Sequence, residues 1–235
     1  MPLILCIETS SKNCSIALSK NGSLVALKEY FDENYCHGEK LHVLISEVLS
    51  LERILIKDID AFSLSYGPGS YTGLRIGASA VKGFGFSLNK PVMVMSTLKS
   101  LAHSYIESKH FDSKTDFLCP IIDSRVGEVY AATYDKNLNQ INSSHSCVVS
   151  QHTFNNFLCQ GKVAFFGTGL IKLNDIMKHE NANFLKEDLL PSAASLVKIS
   201  YQKFLKKDFV DTAYFEPLYL KRFIPTKSKN NKFKF

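Results

Sequence analysis

The sequence predicts an α/β protein of two lobes, each built on a mixed sheet with helices on its faces. Three observations predict it. The chain opens on three short apolar runs separated by turn residues, which read as strands. The apolar period then changes to a helical one, and strands and helices alternate. After the polar segment "HFDSKTD" a second β-rich unit begins.

Leu3 to Glu8, Cys14 to Ser19 and Leu24 to Tyr30 form an antiparallel meander, with Asn21-Gly22 closing the second hairpin. From Gly38, the residues Leu41, Leu44, Ile45, Val48 and Leu49 fall at i, i+3, i+4, i+7 and i+8, one face of an amphipathic helix. Ala61 to Tyr66 is a strand that runs into a glycine segment. Thr72 opens a second helix, Pro91 separates it from the strand Val92 to Met95, and Thr97 starts a third helix, Leu98 to Ser108. The second unit holds strands at Phe117 to Asp123, Val129 to Tyr134, about Ser146 to Val149 and Val163 to Phe166, with "DKNLNQINSS" as a turn. Helices are expected at Ser150 to Cys159 and Pro191 to Lys206. Lobes over residues 1–108 and 109–220 follow, with the late helix able to pack back on the first lobe and a basic, flexible tail over 221–235. No internal repeat is clear in the sequence.

At 235 residues, 45% hydrophobic and 21% charged, the chain can bury a sizeable core. No window approaches the ~18 apolar residues of a membrane span, and the run Leu3 to Ile7 is too short for a signal peptide. A cytoplasmic protein without membrane contact is expected. The six cysteines never form a C-x-x-C pair, so zinc-knuckle and thioredoxin-like chemistry are unsupported. The formal charge of +6 is confined to the end: residues 221 to 235 hold six basic and no acidic side chains, which leaves 22 of each in the first 220. A basic end of this kind is most often simply solvated, with RNA contact as its alternative.

The segment "SYGPGSYTGLRIGASAVKGFGFSLNKP" holds six of the twelve glycines. It lacks the Lys-Ser/Thr of a Walker loop, and Gly73 falls one residue too late for G-x-G-x-x-G. What remains is a strand, a sharp turn and a helix start, where Gly67, Gly69, Ser70 and Thr72 are weak candidates for a nucleotide or other anion. Gly73, Gly77 and Ala80 recur on one face of the helix. Each internal glycine costs about 1 kcal/mol against alanine, which close approach of another backbone, inside the fold or on a partner, would offset.

His37 and His42, five residues apart, stand about 140° apart on a helix and make a poor metal pair. Asp58 and Asp60 read as cap and turn. Asp123, Arg125 and Glu128 sit at a strand end, where internal pairing is favoured over ligand binding.

The blocks "LILCIETSSKNCSIAL", "DIDAFSLSYGPGSYTGLRIGASAVKGFGFSLNKPVMVMSTLKSLA", "PIIDSRVGEVYAATY" and "PLYLKRF" together resemble the bacterial TsaB (YeaZ) family, over nearly the whole chain to about residue 223. The resemblance implies the two-lobed fold of the actin-like, Hsp70-like and sugar-kinase-like (ASKHA) superfamily. It implies a non-catalytic paralogue of TsaD, which pairs with TsaD and, with the ATPase TsaE, supports threonylcarbamoyl transfer to N6 of the adenosine next to the tRNA anticodon. ATP and metal then belong to the partner subunits, and this chain has no cofactor and no catalytic or metal residue of its own. tRNA is met through the complex. Superfamily ATPases carry an Asp and a glycine at the first turn; here "ETSSKN", starting at Glu8, keeps the acid and lacks the glycine. Glu8 and Tyr71 depart from the family's commoner Asp and Phe.

The resemblance assigns the TsaD surface, which makes a homodimer when TsaD is absent, to the two helices. His37, Leu41, Leu44 and Ile45 lie on the first, and Gly73, Arg75, Gly77, Ala80 and Lys82 on the second. The apolar stripe of the first packs inward and leaves its edges for the partner. Gly77→Arg is accordingly expected to abolish complex formation in a folded chain. The alternative is a small ASKHA-type kinase or ATPase that uses Glu8 and the Gly67 to Gly73 turn. A glycoprotease-like hydrolase lacks a nucleophile-base pair or metal set.

Overall fold

The computed structural model describes residues 1–33, 36–187 and 189–221. The basic stretch expected at the C-terminus therefore lies outside the described residues after Lys221. Among the described residues, two five-stranded sheets carry the fold.

In the first, β1 (Leu3–Glu8), β2 (Asn13–Lys20) and β3 (Ser23–Phe31) form the antiparallel meander. Asn21 and Gly22 both have positive φ, 53° and 76°, as the two-residue hairpin turn requires. α1 (His37–Leu51) leads to β4 (Ala61–Gly67), α2 (Tyr71–Ser87) and β5 (Val92–Ser96), and β4 and β5 extend the sheet in parallel to give the order β3-β2-β1-β4-β5. α3 (Thr97–Glu107) follows.

The second sheet repeats that topology. β6 (Phe117–Asp123), β7 (Glu128–Tyr134) and β8 (Gln140–Val148) are antiparallel. After α4 (Asn155–Leu158), β9 (Val163–Phe166) and β10 (Ala182–Phe184) add in parallel, giving β10-β9-β6-β7-β8. The connections differ. Where the first lobe has helices of 15 and 17 residues, the second has the four-residue α4 and a three-residue turn of 3-10 helix at Leu170–Lys172. α5 (Val197–Leu205) ends the described helices.

Several details differ from expectation. The helix expected at Ser150 to Cys159 shrinks to α4 because the Thr153 hydroxyl takes the Ser150 N–H at 2.8 Å and donates to the Val148 carbonyl at 3.2 Å. β8 starts at Gln140, because the Asp135 carboxylate closes a tighter turn by accepting from the N–H groups of Asn137 and Asn139 at 2.8 and 2.9 Å. The last helix starts as a 3-10 turn, Ala193–Leu196, before α5.

Each sheet is covered on both faces. One face of the first sheet packs Leu5, Ile7, Ile16, Leu18, Phe62 and Leu64 under α1 and α2. Its other face, Ile4, Cys6, Ala17, Ala61, Met93 and Met95, is covered by Ala193, Leu196, Val197 and Ile199 from the end of the chain. α3 covers the second sheet with Leu98, Leu101, Ala102 and Tyr105, whose ring stacks on Phe166 at 4.5 Å. Buried hydroxyls join these layers in pairs: Ser65 with Thr97 at 2.7 Å, Ser100 with Ser195 at 2.6 Å, and Ser200 donating to Ser63 at 2.7 Å. Among the described residues no helix is long and apolar enough to cross a membrane.

Candidate functional site

The loop that follows β1 lies directly on the start of α2. Thr9 Oγ1 donates to the Gly73 carbonyl at 2.8 Å, and the Ser70 N–H donates to the Ser10 carbonyl at 2.7 Å. A Cβ at Gly69 would stand 2.3 Å from the Ser10 oxygen, one at Gly73 2.1 Å from the Thr9 oxygen, and one at Gly77 2.4 Å from Thr9 Oγ1. Real Cβ atoms do not approach so closely, so glycine at these positions lets a strand end and a helix touch.

The glycine stripe therefore faces inward. Gly73 and Gly77, expected on the partner surface, are buried against the chain's own Thr9. Gly77→Arg would break this contact and so tests the fold rather than a partner. Of the anion candidates, Gly67 has φ 123° and packs under Leu218, Gly69 sits on Ser10, and Ser70 caps α2 by accepting from the Gly73 N–H at 3.3 Å. Thr72 is exposed. Two donors at the turn are thus engaged by the protein itself.

His37, Leu41, Leu44 and Ile45 are likewise buried, His37 at 1% exposure. The stripe packs inward, because the helical period that makes it apolar also turns it to the core, and these four side chains therefore stand behind the outer face of α1 rather than on it. His37 Nε2 donates to the Ser11 carbonyl at 2.7 Å, and burial holds its pKa below the ordinary imidazole value. It braces the β1–β2 loop.

Arg75 is exposed, but its guanidinium stacks on Tyr71 at 4.0 Å and its Nε donates to the Tyr219 hydroxyl at 3.2 Å. Lys82 donates to the Ala213 carbonyl at 3.0 Å and sits over Phe215. Both cations clamp the C-terminal segment to α2. Ala80 is half-buried.

The outward faces carry other residues. His42, Val43, Ser46 and Ser50 are exposed on α1, and Ser79 and Gly83 on α2. His42 meets Phe84 edge-on at 5.9 Å between the helices. Beside it Ile76, Ser79, Ala80, Gly83 and Ser87 line an open groove of about 600 Å³. These five fall at i, i+3, i+4, i+7 and i+11, a second face of α2 that the sequence spacing contained. Its small side chains make a flat strip, and a Cβ at Gly83 would meet nothing within 4 Å.

Between the sheets lies a cleft of about 490 Å³, walled by Ser10 to Lys12, Gly69 to Tyr71, Ile122 to Arg125, Tyr130 and Lys221 among others. Asp123 pairs with Lys172 at 2.5 Å, and Glu128 pairs with Lys221. Lys172 also donates to the carbonyls of Ser124, Arg125 and Glu128 at 3.2, 2.7 and 3.0 Å, which fixes the loop. Arg125 is exposed.

Glu8, two residues before the cleft wall begins at Ser10, is fully buried. Its Oε1 accepts from the Ser10 N–H at 2.6 Å, and its Oε2 has no hydrogen-bond partner among the described residues. Burial raises its pKa above the ordinary carboxylate range, against weaker lowering by the Ser10 hydrogen bonds. A folded-state pKa raised above the unfolded value contributes stability below the unfolded pKa, and that contribution is lost as pH rises through the folded one. Glu8→Gln should therefore gain stability on the wild type as pH rises from about 4, the ordinary carboxylate pKa, towards neutrality and above. Urea midpoints across that range measure it; a difference that stays flat with pH would contradict a costly ionisation.

Two sheets of like topology around a central cleft, the first covered by two long helices, define an actin-like, Hsp70-like, sugar-kinase-like fold. An inorganic polyphosphate/ATP-glucomannokinase from Arthrobacter shares this fold at 7% identity, with a TM-score of 0.51 over 88% of this chain and 100% of the other. YeaZ from Pseudomonas aeruginosa is similar with a TM-score of 0.79 at 23% identity, over 94% of this chain and 100% of that one. The family model for TsaD, tRNA N6-adenosine threonylcarbamoyltransferase, matches residues 34–223. The tRNA threonylcarbamoyladenosine biosynthesis protein TsaB of Escherichia coli is 30% identical over 224 residues, covering 93% of this chain and 94% of the relative. The chain belongs to the TsaB (YeaZ) family.

Proposed function

We propose that this chain is a non-catalytic subunit in tRNA threonylcarbamoyladenosine formation. It holds a TsaD-type transferase on the outer faces of α1 and α2, works with a TsaE-type ATPase in the cytoplasm, and pairs with a second copy of itself when TsaD is absent. ATP and metal stay on those partners, and tRNA reaches this chain through the assembly. The observation that carries the reading is the flat strip of Ser79, Ala80 and Gly83 beside the exposed His42 and Val43. Small side chains there allow a partner's helix to approach closely at low side-chain entropy cost.

The β1–β2 loop supports the non-catalytic part. Its backbone is pressed onto the glycines where the superfamily's ATPases hold phosphate, and the Ser10 carbonyl takes the Ser70 N–H. Calorimetry of the isolated chain with magnesium-ATP should show no micromolar binding and no turnover. Binding with turnover would replace this reading by the kinase or ATPase one.

A further inference from the structure

We propose that residues 210–221 form a strap that ties the two lobes together, with the Lys221–Glu128 ion pair as the latch that sets how far the cleft opens. The chain itself passes between the sheets twice. It leaves the first after β5, covers the second with α3, and returns after β10 to cover the first with Ala193 to Ile199. Two crossings of this kind can serve as a hinge, and a further link away from them limits rotation about it.

The strap makes that further link without a third crossing of the chain. It begins where the Val210 N–H donates to the Val92 carbonyl at 2.9 Å, and Thr212 packs at Gly85 near the end of α2. Lys82 donates to the Ala213 carbonyl at 3.0 Å, Arg75 Nε donates to the Tyr219 hydroxyl at 3.2 Å, and the Tyr219 ring lies 5.0 Å from that of Tyr71. The strap therefore runs antiparallel to α2. The Leu218 N–H also donates to the Tyr66 carbonyl at 2.8 Å, at the end of β4. All of these anchors belong to the first lobe. Lys221, two residues past Tyr219, then pairs with Glu128 at the start of β7 in the second sheet.

This pair is better shielded than a surface one. Its side chains are 28% and 23% exposed, against 40% and 47% for Lys28 and Glu47 between β3 and α1. Partial exclusion of water lowers the local dielectric and strengthens the attraction at a given distance. Lys221 also walls the cleft, together with Tyr71 and Arg125, so the pair stands at the gap it holds. Glu128 is fixed in its turn, because its carbonyl and those of Ser124 and Arg125 accept from the Lys172 ammonium. Both halves of the latch are thus mounted on anchored backbone.

Double electron–electron resonance on the full chain tests this. Spin labels carried on non-canonical residues at Thr72 and Val126 stand at exposed positions beside Tyr71 and Arg125, on opposite walls of the cleft. The latched chain should give one narrow distance distribution. Lys221→Gln and Glu128→Gln should each lengthen the mean by more than about 2 Å, the scale of a domain rearrangement. Lys221→Arg keeps the charge and should keep the short distance. Hydrogen exchange gives a second readout: the Leu218 amide should exchange about threefold faster in either Gln variant, and the Val210 amide, at the far end of the strap, at the wild-type rate. Unchanged distances in both Gln variants would overturn the latch, and so would a Lys221→Arg chain as open as Lys221→Gln.

Discussion

Gly73→Ala is expected to destabilise the isolated chain by about 3 kcal/mol or more, a large share of the roughly 5–15 kcal/mol that holds a domain together. The added carbon would stand 2.1 Å from the Thr9 carbonyl oxygen and 3.0 Å from His37 Cδ2. Neither neighbour can simply turn aside. The oxygen is backbone, and the imidazole is held by the Ser11 carbonyl. Relief therefore requires the β1–β2 loop to lift from α2, which stretches the Thr9 to Gly73 hydrogen bond and opens the cap of the first core. The alanine gains about 1 kcal/mol of helix propensity, too little to offset this. Gly83→Ala is the control, since its methyl enters open space; it should gain about 0.5–1 kcal/mol. Urea unfolding of both variants decides the matter, and a Gly73→Ala midpoint equal to that of the wild type would show that the loop and helix are not in contact.

The second large effect is on assembly. Gly83→Arg should leave the isolated chain at least as stable as the wild type, yet weaken binding to a TsaD-type partner by about a hundredfold or more. A long cation in the middle of a flat strip keeps the facing helix away and must be desolvated if the helix comes close. Titration calorimetry on the pair, with circular dichroism on the chain alone, separates the two effects. Undiminished affinity would remove the strip from the interface. Gly77→Arg is expected to fail earlier, as unfolded protein, because its side chain has only Thr9 and Leu64 to displace.

The contrast between Gly77 and Gly83 marks how far the sequence could be read. Periodicity states which residues share a helix face, and it placed the starts of α1 and α2 within a residue, with the apolar stripe of α1. It does not state what lies opposite a face of small residues. Thr9, which occupies that place, is 64 residues away along the chain and carries no signal of its own. The complementary strip from Ile76 to Ser87 was present in the same spacing, but alanine, serine and glycine look the same whether they face a strand end or a partner.

The duplication of the sheet was hidden for another reason. Strand runs such as Leu3 to Glu8 and Phe117 to Asp123 share alternation and apolar content rather than residues, and the second copy has lost the long helices that would have marked the period. β10, with three residues, is too short to give an alternation at all. The strand pairs of the first meander, the Asn21-Gly22 turn and the strand Val163 to Phe166 were legible, because each depends on neighbours in sequence.

The crossing of α5 onto the first sheet also sets an order for synthesis. The strands that bury Ile4, Cys6, Ala61 and Met93 leave the ribosome early, but the residues that cover them, Ala193 to Ile199, leave only after the second sheet has been made. During translation one whole face of the first sheet waits for the second lobe to be made. A nascent chain of this protein thus carries an open apolar sheet face until α5 emerges, and α5 acts as the step that closes the first lobe.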